Sequence, residues 1–310
     1  MGVDIGGTKI AAGIVDADGR VLARARRDTP RAAEDIAPLV ADTIGSLRTE
    51  ARVDAVPVGV GAAGIIDRDG VVRYAPNIRW ADYPLAAELA VLVGAPVTVH
   101  NDANVAAWAE YRAGAGRAVT SDMVMLTVGT GVGGGAVVED RLLLGAHGLG
   151  AELGHIVVLE GGPRCPCGNR GCLEALASGN AIGRTAREEV AANQAPGSSP
   201  LARVAPETIT GKTVTHAAQA GDGFAAGILD RAGFWLGVGI ASLANALDPE
   251  LVVVGGGAME AGELLLAPAR VSFAERLMGR SHRPLPPVEA AQLADDAGLV
   301  GAALLALEGG

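Results

Sequence analysis

Aromatic side chains are scarce in this 310-residue chain, with three Phe, three Tyr and three Trp making 3% of it. A core large enough for two domains must therefore come from Ala, Val, Leu and Ile, which the 49% hydrophobic content supplies. Lysine occurs only at Lys9 and Lys212, so arginine carries nearly all the positive charge. The net charge of −10 leaves no basic footprint and argues against a general nucleic-acid binder. Three cysteines, all within eight residues, cannot make a disulfide framework. A signal-peptide pattern is missing, because Met1 leads straight into an apolar strand carrying Asp4. A cytoplasmic location is expected. Long hydrophobic runs are missing too. The uncharged stretch Ala232–Leu247 is shorter than the ~20 residues of a membrane span and holds three glycines, Ser242 and Asn245. It reads as a buried helix, and no membrane partner is expected.

Glycine is what the chain has in excess. Its 45 glycines are about twice the usual ~7% share. They cluster, which points to tight turns and close ligand approach rather than disorder. The opening reads as strand Gly2–Ile5, a Gly6-Gly7 turn, strand Ile10–Val15, a hairpin turn Asp16-Ala17-Asp18-Gly19 and strand Val21–Ala25. An amphipathic helix over 32–49 follows, then a buried strand Val56–Val60 running into Gly61–Gly64. This β-β-β-α-β order is unusual for a simple Rossmann unit. The second half repeats the opening: strand Met123–Val128, glycine turn 129–135, strand Ala136–Glu139, turn Asp140-Arg141 and strand Leu142–Leu144. The recurrence suggests two related α/β halves, with chance likeness of two glycine hairpins as the alternative. A long helix over 224–247, a strand Leu251–Val254 ending in Gly255-Gly256-Gly257, and a last helix Ala297–Leu307 complete the chain. That last helix is expected to pack back on the first domain.

Two glycine turns have the chemistry to hold phosphate, since successive backbone N–H groups without Cβ atoms admit close approach. Asp4-Ile5-Gly6-Gly7-Thr8-Lys9 adds a carboxylate for Mg²⁺, a hydroxyl and an ammonium. Thr127–Gly135 adds the hydroxyls of Thr127 and Thr130. Neither is a P-loop, because the Gly-Lys-Ser/Thr ending is missing. Gly129, Gly131 and Gly134 match G-x-G-x-x-G, but the next residues read as a strand rather than the helix a dinucleotide site needs. Purely structural hairpins remain the alternative.

Cys165, Cys167 and Cys172 lie in one tight loop, with His155 ten residues earlier. Together they form a Cys₃His set suited to structural zinc, with no open position for catalysis. Reduced, unbound thiols are the alternative. The flanks of this loop carry Glu152, His155 and Glu174, which suit sugar hydroxyls. His100-Asn101-Asp102-Ala103-Asn104 follows strand Val97–Val99, where polar residues at a strand's C-terminal end face a ligand crevice. Asp102 can take a proton from an attacking hydroxyl. Equally, Asp102 or Asn101 can cap the helix through Ala106–Tyr111.

With these segments in order, the chain resembles the ROK family of sugar kinases and repressors, and within it the bacterial glucokinases. The resemblance covers almost the whole chain and rests on Asp4–Lys9, Asn101–Asn104, Gly129–Gly135, Ala151–His155 and the pattern C-x-C-G-x-x-G-C-x-E from Cys165 to Glu174. It implies an α/β, ribonuclease-H-like (actin/hexokinase-type) fold with two lobes and an interlobe cleft. The expected lobes are a small one, 1–105 joined by the C-terminal helix 296–310, and a large one, 106–295, with the zinc loop. The resemblance implies Asp102 as general base. It implies Gly64, Asn77, Asn101, Glu152, His155 and Glu174 on the sugar, with Ala75–Trp80 as the sugar-side loop. His155 is expected to offer one ring nitrogen to zinc and the other to the sugar. ATP with Mg²⁺ is expected at Asp4, Gly6, Gly7, Thr8, Lys9, Thr130 and Gly131, and Gly255, Gly256 and Gly257 border the adenosine. A homodimer or homotetramer is expected.

The expected reaction is in-line transfer of a phosphoryl group from ATP to a hexose hydroxyl, first glucose. N-acetylmannosamine, fructose or allose as acceptor and polyphosphate as donor are rivals. A sugar-sensing repressor is the rival from another class. Such repressors carry an N-terminal helix-turn-helix, and with a strand read from residue 2 none is expected here.

Overall fold

The structure, a computed structural model, describes residues 1–53, 56–75 and 77–309. Pro76 of the expected sugar-side loop and Gly310 of the expected C-terminal helix lie outside the described residues. Two compact units divide the chain. The first comprises Met1–Ser121, Gly135–Ala151 and Gln292–Gly310, the second Asp122–Gly134 and Glu152–Ala291.

Strands β1 (Gly2–Ile5) and β2 (Lys9–Val15) form from short apolar runs, and β3 (Val21–Asp28) from an alternating run whose Leu22, Arg24 and Arg26 are exposed. β1 and β2 pair antiparallel, with Val3 opposite Ala12 and Ile5 opposite Ile10. The turn into β3 closes at Gly19, whose φ of +82° favours glycine, and Asp16 Oδ1 accepts from the amides of Asp18 and Arg20. Helix α1 (Ile36–Ala51) buries Ile36, Val40, Ile44 and Leu47, a 4-4-3 spacing that keeps one stripe on the sheet. β4 (Val58–Ala62) then enters the sheet parallel to β1, every residue buried. A small three-stranded sheet of β5 (Ile65–Ile66), β6 (Val72–Ala75) and β7 (Trp80–Tyr83) comes next. Helix α2 (Leu85–Val93) leads to β8 (Val97–Asn101), parallel to β4, and helix α3 (Asp102–Ala113) leaves its end. The sheet order is β3-β2-β1-β4-β8.

The second five-stranded sheet contains β9 (Met123–Val128), β10 (Val132–Val138), β11 (Arg141–Leu142), β12 (Leu251–Gly255) and β13 (Val288–Ala290). Its order is β11-β10-β9-β12-β13, and β12 runs parallel to both β9 and β13. Numbered by their appearance in each sheet, the strands of both run 3-2-1-4-5. The repeat read from two glycine hairpins therefore extends to whole sheets, and the fold is the ribonuclease-H-like α/β type. Two local readings need correction. β10 begins at Val132, so Gly133–Gly135 are strand residues rather than turn. The turn after it is Glu139-Asp140, with φ of +52° and +61°, and the third strand is Arg141–Leu142, not Leu142–Leu144.

Helices α4 (Glu174–Ala177), α5 (Gly179–Ala191), α6 (Gly211–Gln219), α7 (Gly223–Leu247) and α8 (Glu263–Arg276) belong to the second unit. By length and composition α7 could cross a membrane, yet over half of its most apolar window is buried against its own unit. Gly233 and Gly237 let α8 pack directly on it, since Cβ atoms there would lie 2.5 and 2.3 Å from the carbonyl oxygens of Leu265 and Ala269. α7 is a core helix.

The last helix, α9 (Ala297–Glu308), packs on β1, β4 and α3 of the first unit, as expected. Backbone meets backbone there. A Cβ at Gly59 would stand 1.9 Å from the Ala302 carbonyl oxygen, and one at Gly301 would stand 1.9 Å from that of Val105.

Candidate active site

In the first unit, β1 delivers Asp4 and the turn after it. Gly6 N–H donates to the Lys9 carbonyl (2.9 Å), and Thr29 Oγ1 donates to the Gly6 carbonyl (2.7 Å). Gly7, Thr8 and Lys9 are left exposed at the tip, and a Cβ on Gly7 would come within 3.5 Å of the Asn77 side chain. A ligand at this tip would break no core contact.

At β8–α3 the hydrogen bonds give the capping role to one of the two candidates. Asn101 is the N-cap, its Oδ1 accepting from Ala103 N (2.9 Å) and Asn104 N (3.1 Å). Its Nδ2 donates to the Gly64 carbonyl (2.9 Å), leaving one amide hydrogen for a ligand. Gly64 adopts φ +136°, and a Cβ there would collide with the Tyr74 carbonyl at 2.6 Å. Asp102 is thereby free of the capping role, although its Oδ1 still accepts from Ala103 N (2.9 Å). Burial pushes its carboxyl above the usual range, against the pull of those backbone hydrogen bonds. Asp4 is pushed up to about 7, first by burial, then by the charges of Asp102 and Asp295. Two carboxyl groups within one unit thus act on each other through charge, a setting that favours a proton acceptor beside a cation.

His100 lies one residue before the cap. Burial holds its imidazole below the ordinary value, and its Nε2 has no hydrogen-bond partner. With the likewise unpartnered Thr98 Oγ1 and Asn104 Oδ1 it lines a cavity of about 230 Å³ along β8.

In the second unit, Glu174 connects the second glycine turn, at Val132, with the cysteine loop, at Cys165. Its Oε2 accepts from Val132 N (3.0 Å), and a Cβ at Gly131 would lie 2.3 Å from that oxygen. Its Oε1 lies 3.5 Å from Cys165 Sγ. The second glycine turn is further held by Gly179 N donating to the Gly129 carbonyl (2.8 Å) and Asn180 N to that of Thr130 (3.3 Å). Thr130 itself is exposed. Gly134, in contrast, serves packing: a Cβ there would stand 2.6 Å from that of Leu153. Glu152 precedes the short 3-10 turn Leu153–His155. Gly255 ends β12, and Gly256 (φ +89°) crosses the Val128 carbonyl so closely that a Cβ would lie 2.5 Å from it. Gly257 begins a 3-10 turn ending at Ala261, whose Glu260 bonds His216 Nε2 (2.9 Å).

His155, Cys165, Cys167 and Cys172 bring four ligand atoms within 4.8 Å of one another. Cys165 Sγ is 3.6 Å from His155 Nδ1, and Cys167 Sγ is 3.7 Å from Cys172 Sγ. Ligands ~2.0–2.3 Å from a tetrahedral zinc would stand ~3.5–3.8 Å apart, so the donor set and its spacing fit that ion. Burial raises the thiols of Cys165 and Cys172, so a cation is what would make them thiolates. The loop is shaped for this by Gly171 (φ +72°), whose place no side chain could take with the Leu159 carbonyl 1.6 Å from the Cβ position.

Sequence reading missed Asp295 and Glu110. Asp295 acts on Asp4 through charge, yet it precedes a helix, where an acidic residue is ordinary. Glu110 sits in a helix whose apolar pattern gave no hint that a carboxylate would be buried.

The profile of the ROK family matches residues 1–309. A glucokinase of Streptomyces coelicolor is 42% identical over 313 residues, covering 99% of this chain and 97% of that protein. A glucokinase of Thermotoga maritima is 42% identical over 314 residues, with the same coverage. Among solved structures, a ROK family glucokinase from Streptomyces griseus in complex with glucose and AMPPNP superposes with a TM-score of 0.85. It is 43% identical and matched over 99% of this chain and 98% of that one.

Proposed function

The chain belongs to the ROK family, and we propose that it transfers the terminal phosphoryl group of ATP to a hexose, with glucose as the acceptor. The observation that carries the reading is Asp102: capping falls to Asn101, which leaves a buried, weakly acidic carboxylate at the end of a parallel strand. In this reading Asp102 accepts the proton of the attacking hydroxyl as the oxygen–phosphorus bond forms and ADP leaves. Gly64, Asn77, Asn101, Glu152, His155 and Glu174 hold the sugar hydroxyls. The amides of Gly6, Gly7 and Gly131 and the side chains of Thr8, Lys9 and Thr130 take the phosphates, with Gly255–Gly257 beside the adenosine. Asp4 would hold the Mg²⁺ that accompanies the nucleotide, whose charge would offset the repulsion between Asp4 and Asp102. Most of the acceleration comes from this positioning and charge stabilisation.

Zinc would be held by His155 Nδ1, Cys165, Cys167 and Cys172, and it supplies a fixed loop rather than chemistry. The same loop then sets Glu174 through Cys165 and orients His155 toward the sugar. A cytoplasmic homo-oligomer is part of this proposal.

The test is ADP release from Mg-ATP across a panel of hexoses, with the Asp102→Asn variant alongside. Glucose should stand out. Asp102→Asn should bind sugar as the wild type does but lose ~10²–10⁴ in kcat, the usual worth of a general base. Near-normal turnover in that variant would remove Asp102 from its role, and silence from every hexose would sink the kinase reading.

A further inference from the structure

Glu110 is fully buried on α3, two turns after Asp102, and it belongs to none of the machinery described above. A carboxylate with no exposure is costly unless its oxygens are fully engaged. Among the described residues, they are engaged by main-chain amides. Oε1 accepts from Gln292 N (2.9 Å) and Leu293 N (2.7 Å), and Oε2 from Ala115 N (2.9 Å) and Gln292 N (3.1 Å). Gln292 is where the chain re-enters the first unit after leaving the second.

The segment just beyond Leu293 gives these bonds their consequence. Ala294 takes φ +46°, an unfavourable left-handed conformation for a residue with a Cβ, so the turn persists only because its surroundings hold it. A single 3-10 turn, Ala294–Asp296, then opens α9. In the first turn of α9, Gly298 lies flush against Asp4. A Cβ there would be 2.7 Å from Asp4 Cγ and 2.9 and 3.0 Å from its two oxygens. The wall that fixes the Asp4 carboxylate is therefore main chain, five residues beyond the amides Glu110 grips.

We propose that Glu110 is a positioning residue for nucleotide binding: by clamping Gln292 and Leu293 it seats the first turn of α9 against Asp4. One helix, α3, thus carries the proton acceptor at its start and the clamp for the nucleotide-side carboxylate near its end. The inference rests on the kinase reading, and it differs from mere fold stabilisation in predicting an effect confined to the nucleotide.

The test uses the full-length protein with Glu110→Gln, which keeps side-chain volume but turns an NH₂ group toward backbone donors. The readouts are KM for Mg-ATP, KM for glucose and calorimetric affinity for Mg-AMPPNP. The KM for Mg-ATP should rise ~10-fold with matching loss of AMPPNP affinity, while the KM for glucose stays within about two-fold. Glu110→Asp is the second variant; it keeps the charge the buried amides need, but its shorter side chain grips Gln292 and Leu293 less closely, so the fold survives and the clamp loosens. It should shift the nucleotide terms in the same direction by a smaller factor, ~2–3-fold. A folded Glu110→Gln protein with unchanged nucleotide binding, or with both KM values rising together, overturns the proposal. If Glu110→Gln fails to fold, unchanged nucleotide affinity in Glu110→Asp overturns it instead. A wild type that binds Mg-AMPPNP yet phosphorylates no hexose would sink the kinase reading alone, and the calorimetry would still judge Glu110. A wild type that does not bind the nucleotide sinks both.

Discussion

Asp4 sets stability against function at a single residue. Folded, it holds its proton up to about pH 7; unfolded, it releases it near the usual 3.8. Between those values the folded chain binds more protons than the unfolded one, so stability falls as pH rises, by a few kcal/mol at most. Asp4→Asn cannot ionise and escapes that loss. Thermal melts of the ligand-free protein should show the variant above the wild type at pH 8 and the two converging near pH 4, while phosphorylation by the variant collapses. A variant less stable than wild type at pH 8 would show that burial does not penalise this charge. For Asp102 the direction of shift applies to rate. Because its folded carboxyl is raised and must be ionised to accept a proton, kcat/KM should climb with pH on the acid side and level off above that raised value.

Short elements built from distinctive residues were the legible part of this chain. The Gly6-Gly7 turn, the Asp16–Gly19 hairpin and the Cys165–Cys172 loop declare themselves because glycine, aspartate and cysteine have few other uses at such spacing. Glycines of one appearance proved to serve two ends. Gly131 gives way to the Glu174 carboxylate, whereas Gly134 admits Leu153, and nothing local separates them, because the contact partners lie tens of residues away. Glu110 was illegible for the same reason, since its partners at Gln292 and Leu293 are over 180 residues distant. The cysteine loop permits a direct check at this scale. Purified protein should contain one zinc per chain by elemental analysis. Cys172→Ser should lose it together with cooperative melting of the loop, because three ligands remain and the buried thiol of Cys165 is no longer ionised by the ion. Zinc-free protein with an unchanged melt would leave the cluster as reduced thiols.

The sheet order 3-2-1-4-5 repeats in both sheets, yet the chain does not divide at one point. The first unit is assembled from three segments, and the last of these is the helix α9. The run Ala297–Leu307 reads as a helix that packs back on the first domain, but how it docks is not legible, because it meets β1 and β4 through glycine backbones rather than through a matched pattern of large side chains. Nine of its twelve residues are buried, among them Leu299, Val300, Leu304 and Leu305. At ~1.5–3 kcal/mol for each large aliphatic side chain, removing those four alone costs ~6–12 kcal/mol, comparable with the ~5–15 kcal/mol that holds an ordinary domain folded. A chain ending at Asp296 should therefore lack a cooperative transition in its first unit. Hydrogen exchange resolved by residue should find β1, β2 and β4 unprotected while β12 and α7, in the second unit, retain protection. Protection of β1 and β4 at wild-type levels in the truncated chain would mean that the first sheet is stable without its last helix, and that the glycines at 2, 59 and 301 serve some end other than its docking.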